Sequence, residues 1–196
     1  MPIRERERVE NQNIVVGFGE ICTVNISEKK GIGKTPVRKA VLIKGIGIQS
    51  DAHSAPDDET RQVSFLALES IEKQKRALKE KMSDHQKDIV LMPGSFAENI
   101  TTKGIDSLEL MLNDIIEIAE DVVLQVSRIG KECPAPCSIF YRTGDCIMPR
   151  EGFFARVLKG GAVYPNSVIK ITRASVGQSQ GISYKSEKDF KVLNAA

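Results

Sequence analysis

Three of the four cysteines of this 196-residue chain fall between Ser127 and Cys146, in the run SRIGKECPAPCSIFYRTGDC, directly after a strand-like segment. Lys131 lies two residues before Cys133, and Arg128 and Arg142 flank the loop. Positive charge near a thiol favours its thiolate, the form that attacks electrophiles and binds soft metals. Cys133, on a stretch made irregular by Pro134 and Pro136, is therefore the first candidate for sulfur or metal chemistry, with Cys137 as its alternative or as a resolving thiol. The competing reading of a free cysteine is a small buried hydrophobe. Cys22, inside the apolar run from Ile21 to Ile26, fits that reading best, and Cys146, next to Asp145, is intermediate. A metal clip made of Cys133, Cys137 and Cys146 ranks low, because spacings of four and nine match no standard zinc pattern.

The chain has only two histidines. His53 stands two residues after Asp51 in GIGIQSDAHS, which suits a polar site and equally a solvent-exposed turn. His85 lies in the polar stretch 83–88 and carries less. EKKGIGKT at 28–35 ends like a phosphate-cradling loop, but position 28 is Glu where that motif needs Gly. It reads instead as a Gly-rich hairpin connection leading through Pro36 into a strand from Val37 to Ile43.

Composition narrows the function classes. With 28 basic and 26 acidic residues the charge is nearly balanced, so no footprint for nucleic acid or anionic membrane is present. No apolar run approaches the roughly 18–20 residues that span a bilayer. Few, unevenly spread cysteines and no apolar signal segment after Met1 lead to the expectation of a reduced, cytoplasmic setting. Oligomeric state is not readable.

The elements that must position these residues are mostly strands. Residues 1–13, with alternating Arg and Glu, read as a flexible arm, and the composition beyond position 172 as a tail or extension. Between them, β-branched runs predict short strands at 14–18, 21–26, 61–66, 100–102, 108–112, 115–118, 122–126 and 153–158, with a tight turn at Gly160-Gly161 and a last turn at Pro165-Asn166 within 163–171. One helix is expected near 67–82, with Leu68, Ile71, Leu78 and Met82 on its apolar stripe. Glu69 with Lys73 and Glu72 with Arg76 would pair along its solvated face. Strands in such close succession predict a barrel.

With these pieces laid out, GIGIQSDAHS (45–54), RQVSFLALES (61–70), PGSFAENITTKGID (93–106), GKECPAPC (130–137) and REGFFARVLKGGAV (150–163) together resemble the MOSC family. That family is named for the C-terminal domain of molybdenum-cofactor sulfurase. The resemblance implies a mainly β fold over 14–172, a closed barrel of the pyruvate-kinase type with flanking helices. It also implies a loop cysteine, Cys133 by register, that carries sulfur or ligates molybdenum. Asp51, His53, Arg61, Glu98, Asn99, Lys131 and Arg156 are expected to shape a pocket for the molybdenum cofactor (molybdopterin). Three activities follow from the resemblance: sulfur carriage, non-catalytic delivery of the cofactor, or molybdenum-dependent reduction of N-hydroxylated compounds. Expected partners are a sulfur donor and a molybdoenzyme or cofactor-biosynthesis protein. Pyridoxal phosphate would enter only through a partner. The family's usual Gly-Asp in two turns is replaced here by Asn113-Asp114 and Asn166-Ser167, and Asn tolerates the left-handed backbone such turns need.

Overall fold

The computed structural model describes residues 13–54, 56, 58–81, 89–119, 121–130 and 137–174. Their strands are β1 (Asn13–Ile26), β2 (Thr35–Val37), β3 (Ala40–Ile43), β4 (Gly47–Ile48), β5 (Val63–Ala67), β6 (Ile100–Lys103), β7 (Ile115–Ile118), β8 (Val122–Ile129), β9 (Phe153–Lys159), β10 (Gly161–Val163) and β11 (Val168–Ala174). The helices are α1 (Leu68–Lys81), α2 (Ser138–Thr143) and α3 (Met148–Glu151). Eight strands form one sheet in the order β11-β7-β8-β9-β5-β6-β1-β2, and a further β11–β1 pairing closes its first seven into a barrel. Its one parallel pair is β5–β6, because α1 lies between them in the chain and provides the long crossover that parallel neighbours require. Among the described residues, the predicted mainly β barrel with a single long helix is the observed fold.

The barrel interior is filled by alternate residues of each strand, among them Ile21, Val24, Ile100, Leu124 and Ile171. Phe65 and Phe153, direct cross-strand partners on β5 and β9, stack with ring centroids 4.7 Å apart. β5 is buried on both faces. Its Leu66 points away from the barrel into a second cluster with Ile71 and Leu78 of α1, Ile139 of α2 and Met148 of α3. This outer layer positions the candidate site.

Several local expectations are corrected. The two N-terminal strands are one 14-residue strand, bent by irregularities at Val15/Gly17 and Ile21/Thr23. Such bulges let one strand serve two sets of neighbours, β11 up to Glu20 and then β6 and β2. The predicted strand from Val37 to Ile43 is broken at the exposed pair Arg38 and Lys39, where the Lys39 ammonium lies 5.8 Å from the centre of the Tyr164 ring. Residues 108–112 form no strand. Carboxylates organise them as turns instead, Asp106 accepting from the Leu108 N–H and Asp114 from the Met111 N–H. On α1, Glu69 accepts the Gly104 N–H, Lys73 reaches Glu151, and Glu72 pairs with Lys75, so the expected i,i+4 pairs give way to two tertiary contacts and one i,i+3 pair. Gly160-Gly161 is no hairpin turn, since β10 leaves the barrel to pair with β3. Asn113 and Asn166 do take the left-handed backbone, at φ of 74° and 66°.

Candidate functional site

A cleft of about 400 Å³ lies on the outward face of β5 and β9, where Ser64 and Phe154 are direct cross-strand partners. Phe96, Met148 and Phe154 give it an apolar floor, because all three belong to the outer core cluster. Lys30, His53 and Arg61 bring cationic or protonatable groups to its wall, and Ser64 and Asn99 bring neutral polar ones. Among the described residues the acidic group there is Asp58, 3.4 Å from Arg61 Nε. Thr60 hydrogen bonds, then Arg61, hold the Asp58 carboxyl below its ordinary value despite some burial. Three of the expected pocket residues, His53, Arg61 and Asn99, thus meet here although 46 positions separate the first from the last.

Asp51, expected at the pocket surface, is buried behind it. Its Oδ2 accepts hydrogen bonds from Lys34 Nζ, Asn99 Nδ2 (3.2 Å) and the His53 N–H (3.2 Å), and its Oδ1 accepts the Ser27 N–H at 2.9 Å. Burial pushes this carboxyl up, but the Lys34 ammonium and the other donors outweigh it and leave Asp51 below the usual carboxylate range. Asn99 turns its carbonyl oxygen to Ser64, accepting the hydroxyl at 2.9 Å. Lys34 was missed in the sequence, where it reads as one more charge in a polar turn. A buried lysine has no local signature, and only the carboxylate opposite it marks the place.

Glu98 is likewise turned inward, wholly excluded from solvent. It accepts the Gly94 and Phe96 N–H groups and the Thr101 hydroxyl, so it shapes the loop that carries Phe96 and Asn99. Burial raises its carboxyl, the hydrogen bonds opposing this only in part. Arg156 does not line the cleft. It donates to Gln125 Oε1 from Nε at 2.9 Å and from Nη2 at 2.6 Å, and lies 3.4 Å from Glu59.

Cys133 and Lys131 lie outside the described residues. The described ends of their loop are anchored beside the cleft. Gly130 donates its N–H to Gly152 at 2.7 Å, and a β-carbon on it would meet the Pro149 carbonyl, one residue from Met148. Cys137, half-buried at the start of α2, packs against the cluster that floors the cleft. The cysteine-rich loop is shorter than expected, because β8 runs to Ile129 and α2 begins at Ser138. Cys22 is only half-buried, its thiol raised first by burial and then by Glu20 and Glu69; among the described cysteines the one buried in a core is Cys146. Among the described residues no three His, Cys, Asp or Glu side chains converge to hold a metal ion, and no helix is long and apolar enough to cross a membrane. A larger cleft, about 580 Å³, lies between α1, the 104–108 loop and α3. Its charged lining is already engaged: Lys73 with Glu151, Arg150 with Asp145, and Glu69 with the Gly104 N–H.

Solved structures with this fold include the YUAD protein from Bacillus subtilis (14% identity, TM-score 0.63, covering 83% of this chain and 98% of that one). YiiM from Geobacillus stearothermophilus matches at 19% identity and TM-score 0.58, over 81% of this chain and 77% of its own. YiiM from Escherichia coli matches at 17% identity and TM-score 0.55, over 78% and 69%. No curated protein matches the sequence. The MOSC domain matches residues 49–170, a span that runs from the Asp51 loop through the cleft to β11. With that match over more than half its length, the chain belongs to the MOSC domain family, which is associated with molybdenum-cofactor binding.

Proposed function

We propose that the cleft holds the anionic molybdenum cofactor and that the adjoining loop presents Cys133 to it as metal ligand or persulfide carrier. The observation that carries this reading is the make-up of the cleft wall. Arg61, Lys30 and His53 gather at one hollow together with Ser64 and Asn99, over a floor of Phe96, Met148 and Phe154. A phosphate-bearing pterin needs both halves: cations and amide or hydroxyl groups for its charged and polar edges, and flat apolar contacts for its ring. The residues present fit the group in donor chemistry. Arg61 would take the phosphate in a fork, Lys30 would add charge, and the Asn99 and Ser64 pair would face the pterin edge. When bound, the cofactor supplies two-electron chemistry at its metal. This chain's part is to bind and orient it and to bring a thiolate near. The transferable sulfur would come from a donor protein, and the recipient would be a molybdoenzyme or a cofactor-biosynthesis protein.

The test is purification of the full chain from a molybdate-fed host, with molybdenum measured by elemental analysis and pterin by fluorescence after oxidation. Metal and pterin together, up to one per chain, are expected. Arg61→Ala should lower both, and Cys133→Ser should lower metal or persulfide while leaving much of the pterin. A wild-type protein with neither pterin, metal nor persulfide overturns the proposal.

A further inference from the structure

We propose that Lys34 and Asp51 are positioning residues of the cleft, which hold His53 and Asn99 at its wall through one shared buried carboxylate. The functional weight of this inference rests on the cofactor reading above, but its geometry stands without any ligand. Three loops converge on Asp51: residues 27–34 through the Ser27 N–H and the Lys34 ammonium, residues 49–54 through the His53 N–H, and residues 94–99 through the Asn99 amide. The first loop is exposed from Glu28 to Gly33, and then Lys34 turns inward with only 1% of its side chain accessible. An ammonium is placed in an interior only where a charge partner awaits it, since its desolvation is otherwise prohibitive. The Lys34 backbone follows the side chain. Its N–H donates to the Gly94 carbonyl at 2.8 Å, and Gly94, at φ +88°, leaves no room for a β-carbon against the Lys34 carbonyl.

Two consequences reach the cleft. Asp51 and the Asn25 carbonyl take the Asn99 Nδ2 hydrogens, so the Asn99 oxygen faces Ser64, whose N–H and hydroxyl both donate to it, and Asp51 is the charged group that fixes the orientation of this amide. Because the same Asp51 oxygen accepts the His53 N–H and stands 3.8 Å from His53 Nδ1, the charge on Asp51 acts directly on the imidazole. Lys34 offsets that carboxylate. Among the described residues the other charged groups sharing the cleft with His53 are Lys30, Asp58 and Arg61.

The test is an NMR titration of the His53 ring in the ligand-free full chain, with His85→Gln used to assign the two histidines. Removing the negative charge with Asp51→Asn should lower the His53 pKa, and removing the positive one with Lys34→Met should raise it by less, because Asp51 then takes up a proton over part of the same range. A merely structural role would move both variants the same way, toward the ordinary histidine value. Shifts of one sign, or none, in variants with an unchanged circular dichroism spectrum overturn the proposal. Should the variants not fold, the wild-type protein gives a second measurement. A slowly exchanging Lys34 ammonium signal is expected at neutral pH, and its absence is equally fatal. Failure to load molybdenum or pterin with the opposed His53 shifts intact would sink the cofactor reading alone, whereas loading with no such shifts would sink the positioning role alone.

Discussion

Lys34→Met removes an ammonium whose side chain is 1% accessible and leaves an Asp51 carboxylate, 2% accessible, without its cation. Breaking a buried pair by deleting one partner costs about 3–5 kcal/mol. The three donors that remain on Asp51, from Ser27, Asn99 and His53, place this case near the lower end, about 3 kcal/mol. For a domain of this size that corresponds to a fall in Tm of about 6–12 °C. The pH dependence gives the sharper signature. In the wild type Asp51 titrates below its ordinary value, so the stability it contributes is present above the unfolded carboxyl's pKa and lost as pH falls through the folded one. Without Lys34, burial becomes the dominant influence and pushes the carboxyl up. Stability is then greatest with Asp51 protonated and is lost as pH rises through the raised value. Urea denaturation at about pH 5 and about pH 7.5 should therefore show the deficit of Lys34→Met widening toward the higher pH. Adding Asp51→Asn should recover at least half of it, because no uncompensated charge is left. A deficit under about 1 kcal/mol, or one that does not change with pH, would refute the reasoning.

Glu98→Gln should flatten the pH dependence of stability above the ordinary glutamate range. Glu98 is raised in the fold, so its contribution is full below the unfolded pKa and lost as pH rises through the folded one; an unchanged slope in urea melts would show that it does not titrate as argued. Gly94→Ala should destabilise by at least about 2 kcal/mol, because it adds a β-carbon at positive φ against the Lys34 carbonyl, and a Tm within 2–3 °C of wild type would contradict this. Timed iodoacetamide labelling mapped by mass spectrometry should find Cys133 first, then Cys137, with Cys22 slowed by its raised pKa and Cys146 protected until unfolding; early labelling of Cys146 would place it outside the core.

The barrel was legible in the sequence because its strands are short β-branched runs separated by turn residues, and α1 because its apolar stripe keeps a helical period. The turns at Asn113 and Asn166 were legible for a comparable local reason: few residues other than Gly accept a left-handed backbone. What local pattern could not show was tertiary choice. Whether 14–26 is one strand or two depends on bulges that serve partners far along the chain. Whether 108–112 is a strand depends on two carboxylates that capture its N–H groups first. At the site, the sequence by itself determined a cationic cysteine loop and a set of polar loop residues, since residue type and proximity along the chain suffice for those. Only the tertiary structure decided that His53, Arg61 and Asn99 share one wall, that Arg156 lies off it, and that Asp51 and Glu98 turn inward. The physical reason is that a carboxylate's role is set by its partners and its exposure. Asp51 acts as it does because a lysine 17 positions away is buried against it.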